Sequence, residues 1–449
     1  MKKLKSICIN LLIFILLSTF ILSIFYKIRL DTFNKDELID RIEYLTSDEL
    51  KGRLCGSEGN YLAQDFIKKD FKKSNLLPYN FKFLHEFSTH SPTEIEGKPY
   101  LKVVDSNGTL IKEYEYNRDF KDAFLNFKIN KITFNKNNKA NIHTSAMLIN
   151  NSNNKNAVFI STEMNSFNFR SSFVYNTPCD LYTLVSPKTF NELVEYYNND
   201  YTIECFFPYK VEEKIVNNVA SVIKGFNPFL PPLVLTAHFD HVGSDLSGNI
   251  YRGALDNASG AAFLMELASV LSTLPMPERD IIIVALNAEE FGLLGAEEFA
   301  KENSSKFKNS KVINFDMIGS DENIPLTLMT GKNITEDTSE LLKNLSNRCK
   351  EEKITHLIEK KDSSDHAGFI KQGIDSVTIN DGDTSKIHTP EDKVEFISTT
   401  AIDRALSVVF PEIINYAYSS SPFFLLSTPI TILLFIMLIL AIVFKKINK

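Results

Sequence analysis

Apolar residues recur every three or four positions over Asp36 to Leu50 and again over Tyr61 to Asn75, so both stretches predict amphipathic helices. Between them, Lys51-Gly52-Arg53 and Gly56-Ser57-Glu58-Gly59 predict a tight loop. From about Glu96 to Tyr209 the texture changes. Short β-rich runs such as Tyr100 to Val104, Ala146 to Ile149 and Ala157 to Ile160 alternate with Asn/Ser/Lys-rich turns, with one helix around Lys188 to Tyr197. From Ile215 onward the pattern is regular. Strands are predicted at Pro232 to Ala237, Asp280 to Asn287, Lys311 to Phe315, Pro325 to Met329, Ile354 to Ile358 and Ser376 to Ile379. Helices are predicted at Ala258 to Leu274, Gly292 to Glu302, Glu336 to Cys349, His366 to Lys371 and Val394 to Tyr418. That alternation predicts an α/β fold with a mixed, largely parallel sheet sandwiched by helices. In such sheets, sites gather beyond the C-terminal ends of the strands.

Two apolar runs flank this body. Ile7 to Tyr26 follows Lys2, Lys3 and Lys5, and Phe423 to Phe444 precedes Lys445, Lys446 and Lys449. Each is long enough to cross a hydrocarbon core of about 30 Å, so each predicts a transmembrane helix. A cleaved signal peptide shares the basic start of the first run; the length of the run and the lack of an A-x-A-like exit favour an anchor. Lysines beyond the second run, with the N-terminal lysines, place both termini in the cytoplasm and the body outside it, a two-span protein of the cell membrane. The expected organisation is a span at 7–26, the first part of the main domain at 27–95, a β-rich insert at 96–210, the rest of the main domain at 211–421 and a span at 423–444. Without the insert and the spans, roughly 280 residues remain, a reasonable size for one large domain.

Composition narrows the chemistry. Hydrophobic residues are 44% and charged residues 23% of 449 positions, the balance of a folded chain. A net charge of -7 leaves no basic footprint for nucleic acid. The five cysteines have no C-x-x-C spacing, so any metal falls to histidines and carboxylates; a pair such as Cys179 with Cys205 is left open.

Every candidate ligand follows a predicted strand or opens the next helix. Leu233 to Ala237 runs into His238-Phe239-Asp240-His241; Asp256-Asn257-Ala258-Ser259-Gly260 opens a helix; Ile281 to Leu286 runs into Asn287-Ala288-Glu289-Glu290; Asp316 ends a strand; and His388-Thr389-Pro390-Glu391-Asp392 follows the last strand. In extended backbone the side chains of His238 and Asp240 share a face, so one can bind metal while the other steadies it. Asp256 has two oxygens and can bridge two ions about 3.5–4 Å apart. Glu289 and Glu290 diverge, one toward metal and the other toward water as general base, and Asp316 and His388 complete one metal each. Taken singly these are helix caps, acidic pairs and surface turns. Five of them in one order at strand ends are a site.

The series His238-x-Asp240, Gly253 to Gly260, Glu289-Glu290, Asp316-Met317-Ile318-Gly319, Ser364-Asp365-His366 and His388 to Asp392 resembles the M28 family of zinc peptidases. The resemblance covers about 215 to 415, together with Leu45 to Gly59. It implies a phosphorylase/hydrolase-like fold with two zinc ions per chain, His238 and Asp316 on one, Glu290 and His388 on the other, and Asp256 between them. Glu289 is then the general base, Asp240 orients His238, and Asp365 or His366 supports the pocket. The insert is similar, more weakly, to a protease-associated domain. The implied function is an aminopeptidase acting on peptides with a free N-terminus, held to the lipid bilayer by two helices. A single-zinc aminoacyl cyclase or carboxypeptidase-like relative and an inactive receptor-like protein of the same fold are the rivals; retention of all five ligands and of Glu289 favours the active two-zinc form.

Overall fold

Ile281–Leu286 is buried at every position, and so is Leu233–His238. Runs with no polar face belong in the middle of a sheet covered on both sides. Alternation along these strands then divides the core in two. Leu233, Leu235, Ile281, Ile283 and Ile313 pack into one cluster with the helix Gly260–Ser272, while Val234, Ile282, Val284 and Val312 pack into another with Phe299 and Phe369.

The computed structural model describes residues 2–30, 33–150, 155–163, 167–419 and 428–447. Its main sheet has nine strands, eight of them in the order Leu77–Pro78, Tyr209–Ile223, Ile281–Leu286, Leu233–His238, Lys311–Phe315, Asp375–Asn380, Leu326–Thr330 and His356–Lys360; the ninth, Leu84–Glu94, pairs with Tyr209–Ile223. The four central strands are parallel, while Tyr209–Ile223 and Leu326–Thr330 pair antiparallel with their central neighbours. The sheet is therefore mixed and helix-covered, as the strand and helix pattern predicts.

Helix Gly260–Ser272 is apolar nearly all round and lies in the core. Its one buried acid, Glu266, accepts from Arg41 Nη1 at 2.5 Å and from the Asn34 backbone N–H at 2.7 Å, which fastens the helix Lys35–Leu45 across it.

The β-rich stretch forms two smaller sheets. One runs Phe120–Phe127, Leu181–Val185, Asn156–Ser161, Ala146–Asn150, Lys139–Ile142; the other runs Leu110–Tyr114, Tyr100–Val104, Thr202–Phe206, Lys131–Phe134. The chain enters and leaves it along the ribbon Leu84–Glu94 with Tyr209–Ile223, whose register runs from Tyr209 opposite Glu94 to Val219 opposite Leu84. Its core also takes in Ala288 and Phe291, residues beside the glutamate pair. All five cysteines are free, so Cys179 and Cys205 are not joined.

Several element boundaries move for local reasons. The closing helix starts at Thr399, not near Val394, because Ser398 caps it by accepting from the Ala401 N–H, and Val394–Phe396 forms a separate short turn. Ser339 likewise starts the helix Glu340–Glu351 late, accepting from Leu342 N–H at 2.9 Å.

The expectation of a transmembrane helix at each end is overturned. Among the described residues no helix is long and apolar enough to cross a membrane. The two-span cell-membrane location and the contact with a bilayer fall with it. Residues 423–427 of the second expected span lie outside the described residues. The terminal helices Lys2–Leu30 and Thr428–Ile447 pair with one another, Phe20 stacking on Phe435 at 5.3 Å and the Ser23 and Thr431 hydroxyls meeting at 2.6 Å.

Candidate metal centre

The central strands end beside one another, and their loops build the site. His238 is the last residue of Leu233–His238. Its Nδ1 lies 3.3 Å from the Asp240 carbonyl, which leaves Nε2 facing inward. The Asp240 carboxylate turns to the neighbouring loop, accepting from the Glu289 N–H at 3.1 Å and from the Glu290 N–H at 3.2 Å, while its nearer oxygen stays 3.7 Å from His238 Nδ1. Both amides of the glutamate pair are thus fixed by one acid. Ala288, in the left-handed region at φ 60°, makes the turn from the strand into that pair.

Asp256 sits in the irregular turn before helix Gly260–Ser272. Gly253, at φ 57°, permits this turn: a Cβ there would lie 2.1 Å from the Asp256 carbonyl oxygen and 2.5 Å from the His241 ring. Asp392 holds the turn from the far side, its two oxygens accepting from Leu255 N–H at 2.8 Å and Asp256 N–H at 3.0 Å. Asn257 ties it to the strand carrying Asp316, donating to the Phe315 carbonyl and accepting from Met317 N–H at 3.1 Å. Arg53, fully buried, donates to the backbone carbonyls of Phe239, Arg252 and Gly253 at 2.7–3.0 Å. The loop Lys51-Gly52-Arg53 thereby clamps two of the site's loops. Burial lowers this guanidinium to about 10, against the pull of Asp256, Asp392 and Asp240.

The inward-facing atoms form two clusters that share one acid. His238 Nε2 lies 3.5 Å from Asp256 Oδ1 and 3.4 Å from Asp316 Oδ1. His388 Nε2 lies 3.2 Å from Asp256 Oδ2 and 2.9 Å from Glu290 Oε1, and His241 Nδ1 lies 3.1 Å from the same Glu290 oxygen. The ligand atoms of His238, Asp256 and Asp316 fall within 4.8 Å of one another, and so do those of His241, Asp256, Glu290 and His388. Asp256 therefore turns one oxygen to each cluster.

These residues fit a divalent metal. Nitrogen and carboxylate donors are what borderline ions such as zinc take. Asp316 Oδ1 is buried without a hydrogen-bond partner, while its Oδ2 accepts from the Ser364 hydroxyl at 2.6 Å. A buried carboxylate oxygen facing an imidazole nitrogen and one more acid lacks only a positive charge.

Glu289 lines the cavity beside both clusters. Burial raises its carboxyl well above the usual range, His238 opposing and Glu290, Asp365 and Asp316 adding to the rise. The cavity has a volume of about 390 Å³, and its lining includes Met317, Met329, Ile387, Glu359 and Lys361.

The structure thus brings together His238, Asp256, Glu290, Asp316, His388 and Glu289, with Asp240 behind them. The two residues expected to support the pocket differ. His366 is pinned on both sides, by Thr378 Oγ1 and the Lys361 carbonyl, each at 2.8 Å. Asp365 is buried with both oxygens lacking a hydrogen bond, and burial raises it to about 8 against the pull of His238. The Tyr251 hydroxyl accepts from Lys121 at 2.8 Å. Sequence reasoning missed His241 and Ser172. His241 carries a signal, standing three residues after His238 in the same loop. Ser172 carries none, being one hydroxyl in the Asn/Ser-rich stretch.

Strand-end histidines and acids gathered in two clusters around a shared aspartate, on a helix-covered mixed sheet, define a metal-dependent hydrolase domain. Residues 218–413 match the sequence profile of Peptidase family M28. Aminopeptidase YwaD of Bacillus subtilis (strain 168) is 33% identical over 214 residues, 43% of this chain and 43% of that protein. A vacuolar membrane protease of Schizosaccharomyces japonicus is 39% identical over 90 residues, 20% of this chain and 10% of that protein. The chain thus matches less than half the length of either relative. Among solved structures, the aminopeptidase from Aneurinibacillus sp. strain AM-1 superposes with a TM-score of 0.60 at 16% identity, covering 88% of this chain and 96% of that one. BSAP, a zinc aminopeptidase from Bacillus subtilis, gives 0.59 at 19% identity, covering 87% and 97%. At these identities the likeness is one of fold.

Proposed function

We propose that the chain is a zinc-dependent aminopeptidase that removes the N-terminal residue from peptides at a centre for two zinc ions. The observation that carries this reading is Asp256, whose two oxygens serve two separate donor clusters. His238 and Asp316 would hold one ion, Glu290 and His388 the other, and Asp256 both. Zinc bound there would polarise the scissile carbonyl and lower the pKa of water toward about 7.

The chain's own groups do the rest. Glu289 takes the proton from the attacking water and passes it to the leaving amine, a role suited to a half-buried carboxyl whose affinity for protons is raised. Asp240 keeps Glu289 and Glu290 at their places through the two backbone amides, so base and ligand move as one unit. The His238 ring is held by the Asp240 carbonyl and the His388 ring by the Arg170 carbonyl at 2.9 Å, which presents Nε2 of each inward.

Glu289→Gln keeps the shape and removes the base. It is expected to retain zinc while kcat on an aminoacyl-nitroanilide falls by about 10²- to 10⁴-fold. Near-normal turnover in that variant would remove Glu289 from the role.

A further inference from the structure

The segment Phe167 to Phe173 leaves the sheet of the β-rich insert after the strand Asn156–Ser161 and lies against the centre. Its front touches two ligands repeatedly. The Ser172 hydroxyl donates to Glu290 Oε2 at 2.5 Å, and the Phe173 N–H donates to the Glu290 carbonyl at 2.9 Å. The Arg170 N–H donates to the His388 carbonyl at 3.0 Å, and the Arg170 carbonyl accepts from His388 Nδ1 at 2.9 Å. The Phe169 ring stacks on the His388 ring at 5.5 Å and 19°. Glu290 and His388 belong to the same donor cluster.

The back of the segment is fixed as firmly. Arg170, buried, donates through Nε to the Val242 carbonyl at 2.9 Å, pairs with Asp122 at 3.4 Å and lies 3.5 Å over the Phe124 ring. Lys121 donates to the Phe167 carbonyl at 2.8 Å, and the Val174 N–H donates to the Leu125 carbonyl at 2.9 Å. The strand Phe120–Phe127 is thus the rail on which the segment is mounted.

We propose that this segment is a positioning strap for one half of the centre: the insert sets Glu290 and His388 for their ion, with Ser172 the side chain that aims the Glu290 carboxylate. This rests on the two-zinc reading above. The physical ground is that a ligating carboxylate or imidazole free to rotate loses order on binding, whereas one already hydrogen-bonded does not, and groups that hold ligands in this way contribute about 10- to 100-fold to metal affinity. His238 and Asp316 have other holders, the Asp240 carbonyl and Ser364, so the strap acts on one ion and not on both.

The test is a zinc titration of the stripped full-length protein against a chromophoric chelator, independent of turnover. Wild-type protein is expected to bind two ions. Ser172→Ala is expected to bind one ion as before and the other about 10- to 100-fold more weakly. Ser172→Thr, which keeps the hydroxyl, restores it. Ser272→Ala, whose hydroxyl donates to the Ser269 carbonyl and lies outside the strap, titrates as wild type. In a His238→Ala background the Ser172→Ala loss persists; in a His388→Ala background it shrinks, because its partner cluster is already broken. Two undisturbed ions in Ser172→Ala, or an equal loss at both, overturns the strap and leaves the two-zinc reading standing. Failure of the wild-type protein to bind two ions overturns that reading itself.

Discussion

At the scale of single residues, the acids that hold backbone do as much to shape the centre as those that face the cavity. Asp392 is the clearest case, since both of its oxygens accept from the amides of Leu255 and Asp256. An asparagine has one acceptor and turns an NH₂ group toward a backbone donor. Asp392→Asn is therefore expected to release the turn that carries Asp256 and to weaken zinc binding by about 10- to 100-fold in a chelator-competition titration. Unchanged affinity would show that the turn stands without its acid. His238, Glu289, Glu290 and Asp316 could be expected to gather because each follows an apolar strand, and strand ends in such a sheet converge. Ser172 could not, because it looks like any turn residue until the fold brings it to a partner far along the chain.

At the scale of elements, strands were easier to read than helix ends. Ile281–Leu286 announces itself by composition, whereas the starts of Glu340–Glu351 and Thr399–Ala417 depend on which serine accepts an amide proton. The closing helix also carries a buried acid. Glu412 accepts from Asn344 Nδ2 at 2.9 Å, and burial raises its carboxyl above the ordinary range, with Asn344 and Lys311 opposing. The sign follows from linkage. A folded-state pKa above the unfolded one means that the folded chain holds the proton more tightly, so this group's contribution to stability declines as pH rises above about 4.3. Glu412→Gln is expected to raise the melting temperature at about pH 7 and to leave it nearly unchanged at about pH 4. A gap that is equal at both values, or larger in acid, would contradict the assignment.

Over the whole molecule, the mixed sheet was visible in the alternation of strand and helix, and the β-rich stretch in its turn-rich texture. Their union was not. Leu84–Glu94 was not predicted, yet with Tyr209–Ile223 it forms the ribbon that carries the chain into the β-rich stretch and back. Pairings between residues more than 100 positions apart leave no mark on local periodicity. The terminal runs failed differently. Apolar length along the sequence suggested two spans, and among the described residues no helix is long and apolar enough to be one.

The central claim is that Asp256 serves two ions at once, and zinc stoichiometry tests it most directly. Metal analysis and titration of the full-length protein should give two zinc ions per chain, with Asp256→Ala weakening both together. A wild-type protein that holds a single ion, or an Asp256→Ala variant in which one ion keeps its full affinity while the other is lost, would contradict it.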